Sequence, residues 1–185
     1  MSLIEQDARY RASGILNSLR ADCARCSGLC CVALYFSASD GFPIDKIAGN
    51  PCPQLQANFR CRLHASLKAR GYRGCLGFDC LGAGQKVTQV SFEGRDWRTV
   101  PECAGQMFEV FLVMVQLHEM QWYLAQALTL SPARQLHGSV GALLDETERL
   151  TRLPPAALVA RCPAGLAPAR TEATALLQEE DRVVG

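Results

Sequence analysis

The sequence predicts a mostly α-helical fold in two parts. A cysteine-rich, metal-nucleated N-terminal half of short irregular elements precedes a helical C-terminal half. Three observations lead there. Eight of the ten cysteines in the 185-residue chain fall between Cys23 and Cys80. Gly41, Pro43, Gly49, Pro51, Pro53, Gly71, Gly74 and Gly77 interrupt the same stretch, so it allows only short elements. A segment so broken struggles to build a continuous apolar core, and metal crosslinks are the usual remedy. After Pro101, by contrast, apolar residues recur at three- and four-residue spacing, the period of a helix. The expected organisation is therefore a metal- or iron–sulfur-binding region at 1–100 and a helical region at 101–185 packed on it as one folding unit.

Taken in order, residues 5–20 read as a short amphipathic helix, with Ile4, Ala8, Ala12, Ile15 and Leu19 on one face. Between residues 21 and 84 one further helix is expected, from Cys52 or Pro53 to Ala69. Val87–Phe92 and Trp97–Val100 flank Glu93-Gly94 and read as one small hairpin. Pro101 then opens a long helix whose face carries Met107, Phe111, Met114, His118, Trp122 and Ala125. Phe108, Leu112, Val115 and Tyr123 widen that face, which predicts burial around much of the helix. It should end near Leu130, where Ser131-Pro132 reads as the start of the next. A helix from Ser139 to Leu153 stops at Pro154-Pro155, and a last one runs from Ala169 to Asp181.

Composition excludes several functions. Nineteen basic against eighteen acidic residues leave a net charge of +1, too little for a polybasic coat on nucleic acid or an acidic membrane. The longest apolar run, Leu29 to Phe36, has eight residues, far below the roughly 18 to 20 of a bilayer span. The charged, interleaved N-terminus lacks the apolar core of a secretory signal. The expectation is thus a cytoplasmic protein with reduced thiols, and clustered cysteines there favour metal over disulfides. Charge is also uneven. Residues 1–100 carry 13 basic and 8 acidic side chains, whereas residues 101–185 carry 6 and 10. Lys46, Arg60, Arg62, Lys68, Arg70 and Arg73 lie in a stretch without acids, between Asp45 and Asp79. Cations offsetting clustered thiolates explain this better than a nucleic-acid surface does, since Phe59, Tyr72 and Phe78 are too few to stack bases.

The strongest motif is Cys23-Ala-Arg-Cys26-Ser-Gly-Leu-Cys30-Cys31. Its C-x2-C turn lets two thiolates converge, and a helical path would bring Cys23, Cys26 and Cys30 to one face. Cys31 must then point to a second site or into the core. Cys52 and Cys61 follow singly and Cys75-Leu-Gly-Phe-Asp-Cys80 as a pair, so only one C-x2-C knuckle is present where a zinc ribbon has two.

These residues resemble a known family. C-x2-C-x3-C-C, Cys52-Pro-Gln-Leu, Arg60-Cys61-Arg-Leu-His64, Gly74-Cys75 and Phe78-Asp-Cys80 are similar to the bacterial cysteine-cluster proteins described as zinc- or iron-chelating (YkgJ-like). All eight family cysteines find counterparts in order over about residues 20–82. Phe36-Ser-Ala-Ser39, Gly82-Ala-Gly-Gln85, Met107-Phe108 and Leu117-His118-Glu119 further resemble a domain preceding pentapeptide repeats in some actinobacterial proteins. No such repeats follow here, and no DNA-mimic role is carried over. The resemblance implies a metal centre held by Cys23, Cys26, Cys30, Cys31, Cys52, Cys61, Cys75 and Cys80, without specifying a reaction.

Thiolates suit zinc and iron–sulfur clusters alike. The irregular spacing, the adjacent Cys30-Cys31 and the surplus thiols fit a 4Fe–4S cluster better, with Cys23, Cys26, Cys30 and Cys80 as ligands and Cys31 and Cys75 as substitutes. The expected function is a cytoplasmic iron–sulfur protein serving as a redox or substrate-binding enzyme component. A zinc-stabilised interaction module and a metal or redox sensor are the alternatives, and the partner is a protein or small molecule. His64 reads as a surface or second-shell histidine. His118 lacks the rest of H-E-x-x-H, because residue 122 is Trp, and reads as a core histidine. Gly82-Ala-Gly84-Gln85 should make a tight turn beside Cys80, Asp79 should bond a neighbouring amide, and Cys103 and Cys162 should be ordinary buried thiols.

Overall fold

The computed structural model describes residues 3–130 and 136–161. Within them the fold is mostly helical, as the sequence predicts. The helices are α1 (Leu3–Ser18), α2 (Leu29–Val32), α3 (Arg73–Gly77), α4 (Ala83–Lys86), α5 (Ala104–Thr129), α6 (His137–Leu150) and α7 (Pro155–Arg161). Single 3-10 turns occur at Cys23–Arg25, Ala38–Asp40, His64–Ser66 and Pro101–Cys103. Among the described residues β-structure amounts to two isolated antiparallel bridges, Phe36 to Lys46 and Leu55 to Cys61. No helix among them is long and apolar enough to cross a membrane. The expected Ser131-Pro132 start, the Ala169–Asp181 helix and Cys162 lie outside the described residues.

Contacts group the chain into two units. The first is Ala21–Val115, which holds the eight clustered cysteines and the first half of α5. Its buried residues include Leu29, Val32, Phe36, Val87, Phe92, Met107, Val110, Phe111 and Met114. A separate apolar cluster in this unit joins Cys31, Phe36 and Cys52, with Cys30, Leu34, Phe42, Leu55 and Cys61 packed against it.

The second unit combines the described parts of Met1–Arg20 and Gln116–Gly185. Its core gathers Ala12 of α1, Met120, Leu124, Ala125, Ala127 and Leu128 of α5, and Val140 and Leu144 of α6. The α6 stripe of Val140, Leu144, Thr147 and Leu150 follows helical spacing. Arg11 ties α1 to α6 through the Gly141 carbonyl, at 3.3 Å, and the Asp145 carboxylate. The pair with Asp145 is solvent-exposed on the acidic side and contributes little. Pro155 does more than end a helix, because it also occupies the first position of α7, where its missing N–H costs nothing.

Two expected elements are replaced. The hairpin over Val87–Phe92 and Trp97–Val100 does not form. Val87–Ser91 instead continues α4 as a π-helical segment, closed by Phe92 N–H to the Val87 carbonyl at 3.0 Å. The Thr88 hydroxyl donates to the Gly84 carbonyl at 2.9 Å, which gives this polar residue a reason to stay helical. The helix expected from Cys52 to Ala69 is also absent. Phe59 takes φ +62°, a left-handed conformation that ends any helix, and Gln54 to Arg62 double back on each other. The bonds are Gln56 N–H to Arg60 O and Arg62 N–H to Gln54 O, each 2.9 Å.

Candidate metal centre

The cysteine motif folds as a turn, an extended residue and a second turn. Asp22 caps the first, its carboxylate accepting from Ala24 N–H at 2.9 Å. Cys26 is extended, at φ −113° and ψ 139°, and Gly28 is left-handed at φ +72°. Cys23, Cys26 and Cys30 therefore do not share the face of one helix, as their spacing suggested. The chain bends at Cys26 and Gly28 instead. Only glycine fits this bend, because a Cβ would come within 2.7 Å of Leu55 Cδ1 and 3.1 Å of the Phe59 carbonyl. α2 then carries Cys30 and Cys31 at consecutive positions, with the Cys30 thiol donating to Cys31 Sγ at 4.0 Å.

Side chains from α4 and its π-helical extension hold this loop by its backbone. Asp22 N–H donates to Gln85 Oε1 at 2.9 Å, and Gln89 Nε2 donates to the Arg25 carbonyl at 2.8 Å. Ser27 N–H donates to Thr88 Oγ1 at 3.1 Å, and Trp97 Nε1 donates to the Ser27 carbonyl at 2.8 Å. The loop has no regular partner strand, so these side chains supply bonds its amides and carbonyls would otherwise take from water. Trp97 sits edge-on to Phe59 and Phe108, and Arg98 lies 4.4 Å over Phe59 while donating to Gln56 O and Ala57 O.

Cys80 is presented by a tight turn. Leu81 and Gly82 both have positive φ, at 47° and 78°, and Ala83 N–H closes the turn on the Cys80 carbonyl at 2.9 Å. The exposed Asp79 carboxylate accepts from Leu81 N–H at 2.8 Å and supports that conformation, as expected of it. The turn leads directly into Gly84, where Cys26 and Cys80 meet. A Cβ on Gly84 would lie 2.5 Å from Cys26 Sγ and 3.9 Å from Cys80 Sγ. Cys26 Sγ thus takes the space a methyl would need, and Cys80 Sγ lies in van der Waals contact with that position. Backbone N–H groups point at both, from Leu29 and Gly28 toward Cys26 and from Gly84 and Gly82 toward Cys80.

Charge couples the thiols into two overlapping groups. Cys23 and Cys26 each sense Cys30 and Cys80. Cys75 senses Cys30, Cys52 and Cys61, and Cys52 senses Cys61 and Cys30. Burial, reinforced by these neighbours, pushes the Cys26 and Cys75 thiols up to about 11. Hydrogen bonding to Cys31 and burial drive Cys30 well above the ordinary range. Arg60 favours the Cys23 thiolate, and Lys46 favours that of Cys52. The sequence reading of cations offsetting thiolates thus has two named instances. Arg62, Lys68, Arg70 and Arg73 stay on the exposed surface.

Among the described residues no three His, Cys, Asp or Glu side chains are gathered closely enough to hold a metal ion. All nine described cysteines are free thiols. The donor set nevertheless fits a thiolate-ligated group. Soft sulfur donors converge from two loops, backbone N–H groups face two of them, and a glycine keeps the space between those two clear.

The remaining candidates fall elsewhere. His64 is exposed in its 3-10 turn, and His118 is buried at 5% exposure in α5. Cys103 is half-buried at the start of the long helix rather than fully buried. Sequence reasoning missed Gln85, Thr88, Gln89 and Trp97, whose role depends on the helix that replaced the expected hairpin.

Over 135 residues the chain is 51% identical to an uncharacterized protein, YybG, of Bacillus subtilis (strain 168). The match covers 73% of this chain and 48% of that protein, so the chain spans about half the length of the curated relative it matches. No family model matches the chain, and no solved structure matches it.

Proposed function

We propose that the Ala21–Val115 unit is a cysteine-ligated metal module whose primary group is a 4Fe–4S cluster on Cys23, Cys26, Cys30 and Cys80, in a cytoplasmic protein of the YkgJ-like kind. One observation carries this reading. Cys26 and Cys80 face each other across Gly84, with two backbone N–H groups directed at each sulfur and with Cys30 and Cys23 in electrostatic reach. Buried thiolates are costly without a cation, and N–H donors aimed at sulfur are what thiolate ligands use to spread their charge. The thiols are less tightly gathered than a single ion requires. A cubane, which spreads its ligands over four corners, suits them better than one zinc does.

When bound to these four cysteines, such a cluster would supply one-electron redox chemistry. The protein's own residues orient it. Gln85, Thr88, Gln89 and Trp97 fix the Cys23–Cys30 backbone, Leu81 and Gly82 aim Cys80, and Arg60 offsets charge at the exposed Cys23.

The test is an absorption spectrum of anaerobically purified protein, with iron, sulfide and zinc counted on the same sample. A broad band near ~400 nm with about four irons and four sulfides on these ligands supports the reading. A colourless protein with stoichiometric zinc replaces it with a structural scaffold.

A further inference from the structure

We infer that the turn-rich stretch from Arg62 to Leu76 is a docking surface for an acidic protein segment, in which the cations of Arg62, Lys68, Arg70 and Arg73 meet carboxylates and the exposed Leu76 takes an apolar side chain. The role uses no cysteine, so it goes beyond the metal-module reading and is independent of which metal that module holds.

The backbone here is wound into consecutive turns that fix which side chains face out. Ser66 N–H donates to Leu63 O at 2.7 Å, and Arg70 N–H donates to Ser66 O and Leu67 O at 3.0 and 3.2 Å. Gly71, at φ +77°, then reverses the chain, its N–H donating to Lys68 O at 3.3 Å and that of Tyr72 to Leu67 O at 3.0 Å. This pair of bonds is the helix-ending motif that a left-handed glycine allows, and it brings the side chains before and after it together. Here those are Leu67 and Tyr72, both buried. With these two anchors turned inward, His64, Lys68, Arg70 and Arg73 are left on the exposed side. Gln54 draws Arg62 to the same place. Its side-chain oxygen accepts from Arg62 Nη2 at 2.8 Å, while its amide nitrogen donates to the Tyr72 hydroxyl at 3.5 Å.

The charge on this surface is uncompensated. Elsewhere exposed arginines sit against carboxylates, Arg11 with Asp145, Arg149 with Glu146 and Arg152 with Glu148. Among the described residues the side chains of Lys68, Arg70 and Arg73 make no ion pair, and Arg62 bonds the neutral Gln54. No acid occurs in the sequence from Lys46 to Phe78. Asp40 lies beside the Gly41 backbone that Arg73 packs against, and its carboxylate takes the Ser39 hydroxyl at 3.4 Å instead. Three of the four cations are arginines, whose planar fork of donors matches the two oxygens of a carboxylate. Leu76 follows Arg73 by about one turn of α3, so the two share a face, and Leu76 is 52% exposed. Cations beside an open aliphatic side chain fit a protein segment in which carboxylates flank an apolar residue. They fit a nucleic acid poorly, because Tyr72, the aromatic residue of the stretch, is buried and offers bases no face to stack on.

The probe is a fluorescein-labelled peptide of glutamate pairs separated by leucines, titrated with the full-length protein by fluorescence anisotropy, with iron and zinc counted on the same samples. Joint reversal by Lys68→Glu and Arg70→Glu is expected to weaken binding at least about tenfold, whereas the charge-matched reversal by Arg149→Glu and Arg152→Glu changes it less than about twofold. Salt at about 1 M, where screening acts beyond about 3 Å, should abolish binding. A second readout uses the wild type alone and decides if the reversal variant fails to fold. Lysine acetylation by acetic anhydride is followed residue by residue by mass spectrometry. With peptide at about ten times its dissociation constant, Lys68 should react about tenfold more slowly and Lys86 at an unchanged rate. No peptide binding, equal loss in the two reversal pairs, or the same Lys68 rate with and without peptide overturns the surface. An oligothymidylate of matched charge that binds more tightly than the peptide also overturns it, in favour of a nucleic acid. Peptide binding that follows Lys68 and Arg70 in a protein without metal supports this surface while removing the metal module.

Discussion

Trp97 donates its indole N–H to the carbonyl of Ser27 at 2.8 Å, reaching across seventy residues into the middle of the first cysteine loop. The same Ser27 receives Thr88 Oγ1 on its amide at 3.1 Å, so this one residue between Cys26 and Gly28 is held from both sides. Trp97→Phe keeps much of the ring packing against Phe59 and Phe108 but leaves the Ser27 carbonyl unmet. The expected cost is about 1–3 kcal/mol of unfolding free energy, the usual penalty for an orphaned part-buried polar group. Urea denaturation measures it, and faster loss of metal to a chelator should accompany it.

Gly84→Ala tests the close approach of Cys26 to α4. The added methyl would stand 2.5 Å from Cys26 Sγ, so either the sulfur or α4 must move. Overpacking of this kind costs about 1–3 kcal/mol. If Cys26 is a ligand as proposed, metal content should fall by more than the loss of stability explains. A Gly105→Ala control, where a Cβ meets nothing within 4 Å, should retain wild-type metal and stability.

Lys46→Met should destabilise the Ala21–Val115 unit measurably. It strips donors from three carbonyls at once, on Val32, Ile47 and Asn50. Gly49 N–H still serves the Val32 carbonyl and Asn50 N–H the Ile47 carbonyl, so the expected loss by urea denaturation is about 1–3 kcal/mol, mainly from the Asn50 carbonyl.

The metal-free protein should weaken in alkali. Burial holds the Cys26 and Cys75 thiols up to about 11, above the ordinary value of 9.0. Between those values the folded chain keeps protons that the unfolded chain has released. The stabilisation is therefore complete below about pH 9 and is lost as pH rises toward about 11. Denaturation midpoints measured from pH 8 to 11 check the slope. Metal-loaded protein should not share it, since its ligands are already deprotonated.

The parts of the fold set by period and punctuation were legible. Helical spacing after Pro101 anticipated α5, observed at Ala104–Thr129, and the Pro154-Pro155 stop anticipated the end of α6. Cys31 is buried in the apolar cluster with Cys52, but Cys30 packs against the same cluster, so the two do not point apart as expected. What could not be read was conformation imposed from a distance. Val87-Thr88-Gln89-Val90 is rich in β-branched residues like a strand, yet in the fold Thr88 sits on a helical turn where its hydroxyl bonds the Gly84 carbonyl and the Ser27 amide. Phe59 looks helix-compatible in sequence, but Arg98 over its ring and on the adjacent carbonyls holds it left-handed. At the candidate site the cysteines announced themselves by type. The glutamines, threonine and tryptophan that hold their loop did not, because ordinary polar residues acquire such a role only once the chain has folded around them.

The ties from Gln85, Thr88, Gln89 and Trp97 set a minimum size for any excised version of this module. A peptide trimmed to the cysteines alone would end near Cys80 and carry every sulfur of the cluster, but none of the groups that hold the first loop. Its ligands would have to be ordered by the metal itself, at the entropic expense of several freed residues. A fragment reaching past Met107, which receives the Ser27 hydroxyl at 3.7 Å, would inherit the loop already shaped. The compact unit, Ala21–Val115, is therefore more than one and a half times as long as the Cys23–Cys80 pattern that advertises it.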